Sequence, residues 1–233
     1  MYAVDLHAHT RFFHGRRRLG DLYDPLGFRL LARTAAARGL DAVATTNHDY
    51  YAHFEARNDV SVIPGIEVTT TDGHVLIVGP DPPVETTAGE LTPTEAVELA
   101  HDRACAAIIP HPFRDSSVRD ADAGFDAVEV NGKHPRTSDW ARKLAADLDL
   151  PVVGGSDAHY PVEVGRAFTA VDAEVLTPES VVAAIRDGRV SARVDDWLPH
   201  RLIRRGYRAV HSQTDQIERP EVTTPGVGRP PEE

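Results

Sequence analysis

Short apolar, β-branched runs alternate along the chain with segments whose apolar residues recur every three or four positions. This is the form taken by repeated βα units built on a largely parallel sheet. The runs predict strands over residues 3–7, 41–46, 61–70, 74–78, 106–110, 127–131 and 152–156, with a further strand at 167–171. Helix signals fall between them. Asp24 precedes Pro25 and the segment stops before Gly39, so a helix capped by Asp24 with proline at its first position is expected there, with Leu26, Leu30, Thr34 and Ala37 sharing a face. Thr92-Pro93-Thr94-Glu95 reads as a capping box that opens a helix running to about Ala104. Trp140, Leu144 and Leu148 form an expected buried stripe, and Thr177-Pro178 opens a last helix in which Val181, Val182 and Ile185 pack before Gly188 ends it.

Three longer connections, residues 12–23, 49–59 and 80–91, follow strands and are the expected binding loops. Residues 1–195 are therefore expected to form one α/β domain. Beyond it, residues 196–211 read as a basic helix carrying Arg201, Arg204, Arg205 and Arg208, and residues 212–233 as a polar, proline-bearing disordered tail. A solvated helix face is the preferred reading of those arginines over a nucleic-acid contact.

Composition narrows the class without naming a chemistry. Apolar residues make up 41% and charged residues 26% of the 233, and no apolar run reaches the about 18 residues of a membrane span. No membrane association is expected. The N-terminus enters a strand pattern at once and shows no basic-then-apolar leader, so a cytoplasmic location is expected. Cys105 is the only cysteine, which excludes an internal disulfide and a cysteine-based zinc site and suits a small core residue. The net charge of −11 opposes non-specific attraction to nucleic acid.

The candidate chemistry sits where the strands run out. His7 and His9 are two apart at the end of the first strand, so both imidazoles point the same way and can reach one ion. One such pair is a weak signal. The signal gains weight because His48 follows AVATT, Glu67 ends IPGIEV, His111 ends AIIPH, and Asp157 with His159 ends VVGGSDAH. Polar residues repeated at strand after strand mark the catalytic rim of a barrel rather than a set of core histidines. Nitrogen and oxygen ligands without sulfur suit Zn²⁺, Mn²⁺ or Fe²⁺. Glu129, in AVEV, is expected to support the site as an acceptor behind a ligand, with direct ligation the alternative, and His53 and His101 have no assigned role.

In order and spacing, DLHAHT, TNHD, PGIEV, GHVLIVG, IIPHP and GSDAH resemble the motifs of the PHP (polymerase and histidinol phosphatase) family across residues 3–172. That resemblance implies a single-domain, distorted (β/α)7 TIM-like barrel holding two or three divalent ions. It implies that His7, His9, Glu67 and Asp157 hold one ion, and that Glu67 bridges to a second shared with His74 and His111. His14, His48 and His159 would hold a third. The loop FFHGRRR departs from the family's usual pattern at His14, and TNHD places Asn47 where an acid is usual.

Three divalent ions, two carboxylates and one hydroxide would leave a site charge of about +3, which suits a phosphomonoester with about two negative charges. The expected function is accordingly hydrolysis of a small phosphomonoester such as histidinol phosphate, a sugar phosphate or a nucleotide, with a metal-bridging hydroxide as nucleophile. Asp157, His159 and His48 are the expected catalytic groups. Arg114 and Lys133 are the preferred phosphate ligands, with Arg11, Arg16 and Arg166 as further candidates. Two other readings compete: a phosphodiesterase or nuclease that uses the same metals and the arginines at 16–18 and 201–208, and a non-catalytic metal-binding regulatory module.

Overall fold

The computed structural model describes residues 1–11, 20–114 and 116–195. Strands β1 (Tyr2–Ala8), β2 (Ala42–Thr45), β3 (Ser61–Thr70), β4 (Gly73–Val78), β5 (Ala106–Ile109), β6 (Ala127–Asn131), β7 (Val152–Gly155), β8 (Ala167–Val171) and β9 (Val190–Val194) form one sheet. Its order is β7-β6-β5-β4-β3-β2-β1-β8-β9. Helices α1 (Gly20–Ala37), α2 (Pro93–Asp102), α3 (Ser138–Asp147) and α4 (Pro178–Arg186) pack against it. Among the described residues, no helix is long and apolar enough to cross a membrane.

The two ends of this sheet come back together. Beyond β7, the Asp157 N–H donates to the His7 carbonyl at 2.8 Å and the His9 N–H donates to the Ala158 carbonyl at 2.9 Å, so the chain leaving β7 runs parallel to the end of β1. Thr169 of β8 fastens the same strand through its hydroxyl, which accepts from the Gly154 N–H at 2.8 Å and donates to the Gly154 carbonyl at 2.9 Å. The sheet is thus a nearly closed, distorted barrel, as expected. The expectation of a largely parallel sheet needs correction, however. β1–β2, β2–β3, β5–β6 and β6–β7 are parallel, whereas β3–β4, β4–β5, β1–β8 and β8–β9 are antiparallel. Of the antiparallel pairs only β3–β4 is a hairpin, joined by a two-residue turn too short for a crossover helix; α2 separates β4 from β5, α4 separates β8 from β9, and β1–β8 joins strands far apart in the chain.

The helix starts are only partly as the sequence suggests. Both threonine-proline helix starts hold: the expected capping box of Thr92 with Glu95 forms, and Thr177 makes a second one with Ser180. Helix α1 instead begins at Gly20 and carries Pro25 inside it, so Asp24 is not its cap and residues 20–23 are not loop. The Asp24 carboxylate is used elsewhere, accepting from Thr10 at 3.2 Å, Arg11 at 3.2 Å and Tyr50 at 2.9 Å. Tertiary hydrogen bonds hold this residue, and they offset the one helical bond that Pro25 removes. The buried face of α1 is Phe28, Leu31, Ala32 and Ala35, while Leu26 and Leu30 face outward. In α3, Ala141, Leu144 and Ala145 are buried and Leu148, past the last turn, is exposed. Strand β9 was not expected, because VSARV buries only Ala192 and so gives little apolar signal. Cys105 is buried in the core.

Two glycines permit the closure. A Cβ at Gly154 would strike the Phe168 backbone, and one at Gly155 would strike the Glu129 carboxylate and the His7 side chain. Gly154→Ala is expected to cost about 3 kcal/mol, at the upper end of overpacking, because backbone rather than a movable side chain blocks the methyl group. Urea unfolding would measure this, and an unchanged midpoint would show that the strands can separate without loss.

Candidate metal centre

Closure of the barrel draws the strand ends into one polar cluster. Eight of the nine expected ligands lie within the described residues and all eight converge; His14 lies outside them, as do Arg16, the basic segment 196–211 and the tail 212–233. Glu67 is the hub. Its Oε2 lies 3.3 Å from Nε2 of both His7 and His9 and 3.2 Å from Nδ1 of His48, while its Oε1 lies 3.0 Å from Nδ1 of His74 and from Nε2 of His111. Asp157 forms a second hub, its Oδ1 being 3.8 Å from His7 Nε2, 3.4 Å from His9 Nε2 and 3.1 Å from His159 Nδ1. Three overlapping groups have ion-binding spacing: His7, His9 and Asp157; His9, His48 and His159; and His48, Glu67 and His74.

Local backbone geometry aims two of these side chains. His111 and Asp157 both take positive φ, 29° and 51°, as the chain turns sharply off β5 and β7. Such conformations cost about 1–3 kcal/mol each and persist where surrounding bonds enforce them. For Asp157 the enforcing bond is the one from its N–H to the His7 carbonyl.

Further residues orient the cluster from behind. Glu129 Oε1 accepts from His7 Nδ1 at 2.8 Å, and its Oε2 accepts from the His111 N–H at 2.9 Å and from Asn131 Nδ2 at 3.0 Å. One carboxylate therefore fixes the ring of His7 and the backbone of His111. Asp5, fully buried, accepts from the N–H groups of Ser156 at 2.9 Å and Gly165 at 2.8 Å, and burial raises its pKa to about 6. Asn47, in the position of the family's usual acid, accepts the Thr10 N–H at 2.9 Å and so ties the end of β1 to that of β2. Asp5 could have been suspected from the D-x-H-x-H alternation, which puts it on the face of His7 and His9; nothing in the sequence marks Glu163, whose Oε2 accepts the His159 N–H at 2.8 Å.

Electrostatics sorts the histidines into two kinds. Burial opposes the charged form of His7, yet Glu129 and Glu67 outweigh it and raise its pKa well above the usual value; Glu67 likewise raises His74 against burial. Burial, followed by the neighbouring His159, holds His9 well below the usual value, and burial lowers His48. Both carboxylates stay ionised despite burial, Glu67 through His48, His74 and His7, and Asp157 through Lys133 and His159.

The donor set fits divalent cations. His7 Nε2 and Glu67 Oε2 are buried without a hydrogen-bond partner among the described residues while lying 3.3 Å apart, an arrangement that costs free energy unless a cation lies between such atoms. His48 and His74 are the candidate ligands most open to solvent, at 31% and 28% of their side-chain surface, so the cluster is open on their side.

The expected phosphate ligands divide. Arg114 Nη1 lies 3.2 Å from Asp157 Oδ2, and Lys133 Nζ lies 3.1 Å from Asp157 Oδ1 and also meets His159 Nδ1. Both cations stand at the cluster. Arg11 is held by Asp24 at 3.2 Å and lies over the Tyr50 ring at 4.3 Å. Arg166 is 1% exposed and paired with Glu163 at 3.2 Å, so the rim position expected of it is corrected to an interior one. His134 is neutral at ordinary pH, held down to about 4 by burial first and then by Arg114. His53 is exposed and bonds to Tyr51 and Glu55, and His101 pairs with Asp126 at 2.9 Å. Neither reaches the cluster.

A family model described as PHP-associated matches residues 135–190. No curated protein matches the chain. Among solved structures, PsfC from Pseudomonas syringae is similar at 19% identity with a TM-score of 0.67, covering 90% of this chain and 98% of that one. A two-domain protein from Bacteroides vulgatus containing a predicted PHP-like metal-dependent phosphoesterase aligns at 20% identity and TM-score 0.59, over 83% of this chain and 64% of that one. The lesion-specific endonuclease PfuEndoQ from Pyrococcus furiosus aligns at 22% identity and TM-score 0.60, over 82% of this chain and 57% of its own.

Metal ligands must be deprotonated, and His7 and His74 are the two whose protons are held most firmly. Metal uptake should therefore release protons, and affinity should rise from pH 6 to pH 8; calorimetry in buffers of different ionisation enthalpy checks both, and a pH-independent affinity would contradict the charge assignment. Glu129→Gln leaves His7 without its carboxylate and is expected to weaken metal binding by about 10–100-fold in equilibrium dialysis. The PHP-associated match spans residues 135–190, and the solved structures, at 19–22% identity, share the fold of this chain.

Proposed function

We propose that this chain is a metal-dependent phosphoesterase of the PHP family that hydrolyses a small phosphomonoester, a reading supported by the motif order and by the PHP-associated match. The observation that carries the reading is the placement of Arg114 and Lys133 on the two oxygens of Asp157, beside the histidine cluster. Two cations there give a terminal phosphate dianion a charge-assisted grip, and Arg114, one-third exposed, faces the same solvent as His48 and His74.

His7, His9, Glu67, His74, His111, Asp157, His48 and His159 are the residues that would hold divalent ions. Ions held there would lower the pKa of water from about 15.7 toward about 7 and stabilise charge on the phosphoryl oxygens. The chain's own residues supply the rest. Asp157, kept ionised, can accept a proton or orient a water molecule at the cluster, and His159 and His48 flank the same space. An ion held by Asp157 would compete with Arg114 and Lys133 for the carboxylate oxygens and so release those two cations toward an incoming phosphate. Glu129 and Asn47 keep the rings and strand ends in register.

Phosphodiester cleavage is the second reading, favoured by the likeness to an endonuclease. The chain spans little more than half of that enzyme, and its net charge of −11 repels a nucleic-acid backbone.

Purified protein should hydrolyse an aryl phosphate monoester in a metal-dependent way and act poorly on the bis-aryl diester. His9→Ala combined with Asp157→Ala should abolish turnover. Lys133→Met and Arg114→Met should each lower kcat/KM by about 10–100-fold, the loss of one charge-assisted hydrogen bond of about 1.5–3 kcal/mol. Diester cleavage without monoester cleavage would replace this reading with the second.

A further inference from the structure

We infer that Glu163 is a positioning residue for His159 and that Arg166 keeps it charged in place. The inference rests on the metal-centre reading, within which it assigns a role to a buried ion pair that supplies no ligand. Glu163 is fully buried and Arg166 is 1% exposed. Glu163 Oε2 accepts two backbone N–H groups, that of His159 at 2.8 Å and that of Tyr160 at 3.2 Å, and its Oε1 accepts from Arg166 Nη1 at 3.2 Å. A carboxylate that reaches back to the residues three and four before it closes the turn of which Pro161–Glu163 is the 3-10 segment.

The loop so held is the one that presents both Asp157 and His159. Its ends are tied by the second buried carboxylate, Asp5, which accepts from the N–H groups of Ser156 and Gly165. Between those two ties, Glu163 fixes the backbone at His159 itself, where the ring faces Asp157 Oδ1 at 3.1 Å and His9 at a centroid distance of 4.2 Å. An ion pair buried this completely is costly to maintain, and a neutral core would close the fold as well. Its carboxylate holds the stretch of backbone that carries the candidate ligand His159. The Arg166 side chain also lies against Gly132, where a Cβ would come within 2.8 Å of the Arg166 Cβ. The same pair therefore abuts the turn that carries Lys133.

The test measures Mn²⁺ affinity and stoichiometry by equilibrium dialysis, alongside thermal unfolding. Glu163→Gln puts an amide N–H donor against the Arg166 guanidinium and is expected to weaken Mn²⁺ binding by about 10–100-fold, the usual effect of losing a group that orients a ligand. Combined with His159→Ala it should add little to the loss from His159→Ala alone, because both act through one ligand. Glu163→Gln with Arg166→Met removes the donor clash, leaves the amide oxygen for the two N–H groups, and should recover affinity. Full additivity with His159→Ala, or Glu163→Gln binding Mn²⁺ within twofold of the wild-type protein, would overturn the inference. If Glu163→Gln does not fold, hydrogen exchange of the wild-type protein decides: the His159 and Tyr160 amides should be protected, and exchange at the rate of open loop would overturn it. A protein that binds Mn²⁺ with this dependence yet cleaves no phosphoester would sink the phosphatase reading and leave the role of Glu163 standing.

Discussion

The site exists because β7 comes back onto β1. Asp157 and His7 are 150 positions apart in the chain, and a single pair of backbone hydrogen bonds, Asp157 to His7 and His9 to Ala158, puts them side by side. That approach requires strands with no side chain at the seam, which Gly154 and Gly155 provide. Once the seam is closed, two strand ends deliver His7, His9, Asp157 and His159 into one volume. The β3 end then brings Glu67 and the turn after β5 brings His111 from the opposite wall.

Bringing six histidines and two carboxylates so close is electrostatically expensive, and the rest of the centre can be understood as what offsets that cost. Glu67 and Asp157 stay ionised because imidazoles and Lys133 surround them, and His7 retains its proton because Glu129 and Glu67 face its two nitrogens. His9, which has His159 as its near neighbour, is driven neutral. The balance leaves buried His7 Nε2 and Glu67 Oε2 3.3 Å apart without a well-formed hydrogen bond, and a divalent ion held there would take the place of the His7 proton and resolve the conflict. The geometry that makes the cluster costly is thus the geometry that makes it selective for cations.

Around this centre lies a layer of buried carboxylates that touch backbone or ring N–H groups rather than the cluster's open side. Asp5, Glu129 and Glu163 each take two or more donors, and among them they fix the backbone of His7, Ser156, His159, Gly165 and His111 and the ring of His7. Asp5 and Glu129 lie in the middle of β1 and β6 and Glu163 in the turn before β8, so the barrel's rigidity passes directly to the candidate ligands. This is the arrangement a site needs if its side chains are to hold position to within a fraction of an ångström.

Much of this was legible along the chain, and for a definite reason. Strand periodicity is a local property, so the ends of DLHAHT, AVATT, IPGIEV, AIIPH and VVGGSDAH could be located without a fold, and with them seven of the eight converging histidines and carboxylates, His74 coming from the family resemblance. Capping chemistry is also local, and both threonine-proline helix starts were readable for that reason. Where a tertiary bond competes with a local preference, the local reading failed: Asp24 looks like a cap but serves Thr10, Arg11 and Tyr50, and α1 turns a different face inward. Cations were the least legible, since Arg114, Lys133, Arg11 and Arg166 all follow strand ends. The sequence by itself determined which residues stand at the rim, because alternation along a strand dictates where a side chain points. Only the tertiary structure decided that Lys133 and Arg114 reach Asp157 while Arg166 is spent on Glu163, because that depends on how distant strands close, and no local pattern records the closure.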